Sequence, residues 1–263
     1  MRVQYGDEKN AEANCKREDA MTTLPWKRDA YDGEEEPFSK TWSMEEGTPR
    51  IETRLRRNFL HLPKEIQEAS GIVVYGRRIK SLISTTDVAV IKNCDADAVM
   101  CVYPFTAQRA VTAAVIHAAP MPVFCGSGGG VTKGERAVYF AMDAENQGAT
   151  GVVFNAPISN EDLRMAARAL DIPIVITVTT ESTDVAQRIA SGASILHVAG
   201  GAKTARIVAR IREELPQVPI MATGGKNPEN IRATIEAGAN AIVYTPPSCA
   251  ELYREIMDGY REE

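Results

Sequence analysis

Three residues of this sequence carry side chains suited to proton transfer or polarisation and stand where apolar runs end: Asn155, Glu181 and His197. Histidine exchanges protons near neutrality, and a carboxylate close to it orients the ring or acts as a second base. Each residue also has a plainer reading. His197 can be a barrel-layer histidine satisfied by backbone or one that points outward at the helices, Glu181 can open a helix whose dipole favours a carboxylate, and Asn155-Ala156-Pro157 can be a strand-ending turn. Cys125, directly before Gly126-Ser127-Gly128-Gly129-Gly130, is a candidate thiolate, although a buried thiol in an apolar setting is inert.

A second set of residues is suited to holding an anion. Gly200-Gly201 and Gly224-Gly225 let backbone N–H groups face a ligand with no Cβ in the way. Pro228 suits the first turn of a following helix, and an anion is favoured at such a terminus. Lys226 and Lys203 would add charge, and Ser248 a hydroxyl. The loop 126–130 meets neither the Gly-x-x-x-x-Gly-Lys-Ser/Thr pattern nor the dinucleotide fingerprint. It reads as a lid or substrate loop through Ser127, Gly128, Gly129 and Lys133, or simply as tight turns. His61, His117 and His197 share no metal-ligand spacing with one another or with the cysteines, so no metal site is predicted. A magnesium ion carried by substrate phosphates would leave no trace in a sequence.

These residues need a scaffold, and the apolar runs describe one. Strands are expected at 71–76, 98–103, 123–126, 151–155, 174–179, 195–199, 220–223 and 241–245, with helix-period segments between them. Met121-Pro122-Val123, Ile172-Pro173-Ile174 and Val218-Pro219-Ile220 introduce the third, fifth and seventh runs; Gly148-Ala149, Gly192-Ala193 and Gly238-Ala239 precede the fourth, sixth and eighth. A unit of two strands and two helices thus recurs at roughly 45–50 residues, the period of a repeated architecture. Alternating strands and helices imply a parallel sheet with right-handed crossovers. Eight such units close as a (βα)8 TIM barrel over residues 58–263, with an open doubly wound sheet as runner-up. In that barrel the strand C-terminal ends build the active site, which adds Tyr75, Arg77, Lys80, Tyr103, Thr179, Thr223 and Thr245 to the candidates.

Residues 1–57 differ from the rest. They hold Glu34-Glu35-Glu36 and Glu45-Glu46 and only scattered aromatics, Trp26, Phe38 and Trp42, and read as a poorly structured charged N-terminal extension. The sharper reading is an arm that packs on a neighbouring subunit, and Met21 is an alternative start. The chain has 263 residues and a formal net charge of −5, which argues against a nucleic-acid partner. Five widely spaced cysteines without a Cys-x-x-Cys pair suggest a reducing compartment. With no apolar h-region and no run of 18 apolar residues, a cytoplasmic location away from membranes is expected.

The segment from Val218 to Gly225, followed by Gly238-Ala239-x-Ala241-Ile242-Val243, resembles the C-terminal quarter of the phosphate-binding (βα)8 barrels. These include keto-deoxy-phosphogluconate aldolase, N-acetylmannosamine-6-phosphate epimerase and the inosine monophosphate dehydrogenase group. Over 58–263 the chain is also similar to an uncharacterised bacterial barrel family labelled only "hydrolase". The resemblance implies a phosphate seat at Gly224 and Gly225. It does not extend to the aldolase Schiff-base lysine, because Ser194 to Ala199 contains none, nor to the dehydrogenase cysteine loop. The expected function is an aldolase-, lyase- or isomerase-like enzyme acting on a small anionic or phosphorylated metabolite. A hydrolase at the same site and a non-catalytic metabolite-binding or assembly protein are the alternatives, and a homo-oligomer fits either.

Overall fold

The computed structural model describes residues 41–45, 48–52 and 60–262. Two units are distinguished, 1–61 and 62–263. In the first, β1 (Thr41–Glu45) and β2 (Thr48–Glu52) pair antiparallel as a hairpin. The remainder of the expected extension, Met21 included, lies outside the described residues.

The second unit is the barrel. Its strands are β5 (Ser81–Ser84), β6 (Ala98–Cys101), β7 (Val123–Gly128), β8 (Gly151–Phe154), β9 (Ile174–Val178), β10 (Ile195–Val198), β11 (Ile220–Thr223) and β12 (Ala241–Tyr244). All neighbours are parallel, and β12 closes on β5 through Ile242 opposite Ser81. The crossovers are α1 (Val88–Lys92), α2 (Arg109–Ala118), α3 (Gly134–Asn146), α4 (Asn160–Ala169), α5 (Val185–Ala190), α6 (Thr204–Glu214), α7 (Pro228–Glu236) and α8 (Cys249–Glu262). Most strands are buried on both faces, which is why they read as unbroken apolar runs. Helix starts follow their caps: Asp87, Ser159, Asp184 and Asn227 each accept a backbone N–H of the first turn.

The first barrel strand is not the expected run at 71–76. Ile72–Val74 (β3) turns back on Arg77–Ile79 (β4), and the barrel begins one step later at Ser81. Tyr75 and Gly76 both hold positive φ, 48° and 79°, the mirror-image turn that joins two strands through two residues. Ile72, Val74 and Ile79 then pack with Leu82, Met100, Phe124 and Val175 in one interior cluster. Because Gly71 N–H bonds Asn240 O just before β12, this hairpin closes the N-terminal end of the barrel. Tyr75, Arg77 and Lys80 therefore stand at the end opposite the expected site.

Arg212 ties the same end together from α6. Its guanidinium donates to the carbonyls of Pro216 (2.7 Å), Val218 (2.9 Å) and Gly238 (2.7 Å) and to Asn240 Oδ1 (3.0 Å). Arg212→Met should keep the stem packing and strand these acceptors, costing about 2 kcal/mol in a urea titration at unchanged m. A loss below about 0.5 kcal/mol would show that water replaces the clamp.

Candidate functional site

Inward and outward residues alternate along each barrel strand. Val175, Ile195 and Met221 belong to the interior cluster, so Thr177, His197 and Thr223, two residues further on, point inward one layer nearer the C-terminal mouth. His197 is set between the two threonines. Its Nε2 lies 3.1 Å from Thr223 Oγ1 and its Nδ1 3.5 Å from Thr177 Oγ1. It is 8% exposed, and burial pushes its pKa down to about 4. The ring is therefore neutral at physiological pH, offering one donor and one acceptor. A neutral imidazole is a weak base but a good hydrogen-bond partner for an oxygen on which charge develops.

Asn155 stands directly after β8 at the same mouth, two residues past Val153 and one strand beyond Thr177. Its N–H donates to Gly128 O at 2.8 Å, while its side-chain amide has no hydrogen-bond partner among the described residues. Glu181 goes elsewhere. It follows β9 on the helix side, where its carboxylate takes a 2.6 Å hydrogen bond from Arg206 Nε and pairs with the same guanidinium through Nη2. It lines a crevice with Val178, Arg210 and Ile211. The structure thus brings His197 and Asn155 to one mouth and turns Glu181 toward α6.

The glycine pairs also separate. Gly200 N–H is already taken by Thr204 Oγ1 at 3.1 Å, and a Cβ there would lie 2.4 Å from Ile207 Cδ1, so this turn serves packing on α6. Gly201, with φ +60, opens a short 3-10 turn ending at Lys203. Gly224 and Gly225 are different. No acceptor among the described residues takes either N–H, and both follow Thr223 directly. Lys226 beside them is exposed and forms no ion pair or hydrogen bond among the described residues.

Ser248 is committed to a helix cap. Its N–H and Oγ both reach Glu251 Oε2, at 2.7 and 2.8 Å, and Glu251 N–H returns to Ser248 Oγ at 3.2 Å, the reciprocal capping box. Hydrogen bonds from the Ser248 backbone and side chain hold the Glu251 carboxyl below its usual range, with Lys226 and Arg254 adding charge. Asp87 Oδ2 accepts the next N–H, of Cys249, at 3.2 Å. Carboxylates of the chain itself therefore fill the donors after β12. The loop after β11 instead keeps the N–H groups of Gly224 and Gly225 without an acceptor among the described residues.

The glycine-rich loop is packed at its base. Ser127 is buried with its hydroxyl on Cys125 O at 3.3 Å, and the β7–β8 register shifts between Gly126 and Gly128. Gly129 presses on β8, while Gly130, Val131 and Lys133 are exposed. Cys125 sits opposite Cys101 on β6. Burial pushes the Cys101 thiol up to about 11 and raises that of Cys125 as well, with Cys101 adding to the effect. Neither is a thiolate at neutral pH. Among the described residues no three His, Cys, Asp or Glu side chains converge as metal donors. No described helix is long and apolar enough to cross a membrane.

No protein-family model matches the sequence, and no curated protein matches it either. Solved structures do. A candidate phosphonomutase from Burkholderia cenocepacia J2315 superimposes with a TM-score of 0.54 at 15% identity, over 69% of this chain and 93% of that one. Phosphonopyruvate hydrolase, crystallised with oxalate and Mg++, gives 0.54 at 15% identity over 70% and 80%. An aldolase, QR15, gives 0.50 at 17% identity over 68% and 94%. At such identities the likeness is one of fold: the chain is a (βα)8 barrel of the architecture that these proteins share.

Proposed function

We propose that this barrel is an enzyme of the lyase or isomerase type whose substrate is a small anionic or phosphorylated metabolite bound at the C-terminal mouth. One observation carries the reading. The open N–H groups of Gly224 and Gly225 continue directly from Thr223, whose hydroxyl holds His197, so an anion seat adjoins a buried imidazole. The anion lies on the two N–H groups with Lys226 supplying charge. His197, neutral, and Asn155 face the reacting carbons and meet an oxygen where negative charge develops. Aldolase and phosphonopyruvate hydrolase structures of the same fold are consistent with lyase chemistry and, as a near alternative, hydrolysis. Magnesium fits this reading as an ion that enters on substrate phosphates. The buried free thiols suit a reducing, cytoplasmic setting.

That β10 carries no lysine nucleophile, that Cys125 is held as a thiol, and that no metal cluster is found among the described residues favour a second reading, a non-catalytic metabolite sensor. Calorimetric titration with sugar phosphates, phosphonates and 2-oxo acids, run beside an assay for carbon–carbon cleavage or isomerisation, separates the two. Gly225→Asp places a carboxylate on the seat and should weaken anion binding at least tenfold, about 1.4 kcal/mol. His197→Ala should abolish turnover while leaving the anion bound. Binding without turnover in wild type supports the sensor, and binding indifferent to Gly225→Asp removes the seat.

A further inference from the structure

A depression of the barrel unit lies at the end away from this mouth. A cavity of about 380 Å³ opens between the tip of the β3–β4 hairpin and the connection from α2 to β7. Val123 begins β7 and Thr150 directly precedes β8, which fixes the cavity at the N-terminal ends of the strands. Its size is at the lower end of ordinary ligand pockets, enough for a small metabolite. Val74, Ile116, Met121 and Val123 give it an apolar wall.

Arg77 departs from that wall. In the hairpin Val74 faces Arg77 and Ile72 faces Ile79, so these four side chains share one face, while Val73 and Arg78 share the other. Ile72, Val74 and Ile79 are buried in the barrel interior. Arg77 is the charged member of this inner face and lines the cavity, yet it has no carboxylate or hydrogen-bond partner among the described residues. Arg78, on the outer face, is the ordinary case, its stem covering Gly71. A planar guanidinium beside an apolar wall is complementary to a carboxylate on an apolar body.

Tyr75 provides an independent sign. It is the one non-glycine residue at positive φ among the described residues, at 48°, and it is 67% exposed while lining the same cavity. Asn, Asp or Gly would hold that turn without strain. A strained, exposed aromatic at a cavity rim is the kind of outlier that points to a ligand contact.

We propose that the N-terminal end of the barrel carries a second small-molecule site, in which Arg77 takes the carboxylate of a small amphipathic acid, Tyr75 covers its rim and Val74, Ile116 and Met121 hold its apolar body. The site is independent of the chemistry at the opposite mouth. Its probes are hexanoate, octanoate and 4-phenylbutanoate, with the matching primary amides as neutral controls, titrated calorimetrically into the full chain. The acids are expected to bind at least tenfold more tightly than the amides. Arg77→Gln, an exposed change that leaves the core intact, should erase this preference, and Arg77→Lys should restore part of it. Ile116→Trp, which fills the cavity, should weaken acid and amide alike. Failure of every acid to bind, equal affinity for acid and amide, or binding unchanged in Arg77→Gln overturns the assignment.

Discussion

Replacing Gly129 by alanine is expected to destabilise the barrel by about 4 kcal/mol, a strained backbone and a steric clash acting together. Gly129 holds φ +104°, outside the range that side chains accept readily. Its Cβ would come within 2.6 Å of Asn155 O and 2.8 Å of Asn155 N. Both atoms are backbone, so neither can swing aside as a flexible side chain would. Asn155 N–H already donates to Gly128 O and Gly129 N–H to Thr132 O, so relief by moving the chain breaks one of these bonds. Two neighbours divide the effect into its parts. Gly148, at φ +95° with nothing within 4 Å of its Cβ, should show strain alone, about 1 kcal/mol as alanine. Gly130 has open space and no positive φ, so its alanine variant should stay within about 0.5 kcal/mol of wild type. Urea midpoints at constant m measure all three. Equal losses for Gly129→Ala and Gly148→Ala would mean that the loop yields and is not pressed on β8. Since Asn155 is both the obstacle and a residue of the mouth, a real clash would also weaken ligand binding there.

The barrel was legible because its strands are buried on both faces and begin at repeated X-Pro-X and Gly-Ala signals. Seven of the expected runs coincide with β6 to β12. The first does not, because two apolar runs, Ile72–Val74 and Ser81–Ile83, compete, and the turn between them uses tyrosine where positive φ normally selects Asn, Asp or Gly. Within the site, the sequence left open whether His197 points inward or toward the helices, and the threonines that hold it, Thr177 and Thr223, lie in β-branched stretches that read as ordinary strand. Glu181 follows the strand next to His197, yet a carboxylate in a loop turns to the nearest cation, and Arg206 is supplied by a helix 25 residues later. Ser248-x-x-Glu251 is a capping-box spacing present in the sequence, and the structure forms that cap. The open N–H groups of Gly224 and Gly225 depend on what neighbouring chain does not reach them, which no local pattern encodes.

The buried imidazole sets the second large expectation, a loss of stability on mild acidification that His197→Asn removes. Unfolded, a histidine titrates near 6.5. Folded, burial holds His197 at about 4 with its nitrogens against Thr177 and Thr223. Between these values the unfolded chain binds a proton that the folded chain refuses, so stability falls as pH falls through this window and levels off below it. Above about pH 7 both states carry neutral imidazole and the group contributes no pH dependence. The full difference is about 3 kcal/mol, or roughly 1.4 kcal/mol per pH unit at its steepest. Asparagine keeps a donor and an acceptor for the threonine hydroxyls without titrating, so urea titrations of wild type and His197→Asn at pH 7.5, 6.5, 5.5 and 4.5 isolate the linkage. Parallel curves would show that the ring is solvated enough to protonate in the folded state. A steeper wild-type decline has a consequence for the mouth as well. An imidazole that stays neutral down to pH 5 cannot attract an anion by charge, so affinity for an anion whose own charge is constant, such as sulfate, should be flat from pH 6 to 8. In the proposed reading the seat would then depend on the N–H groups of Gly224 and Gly225, and His197 would meet the substrate through a hydrogen bond.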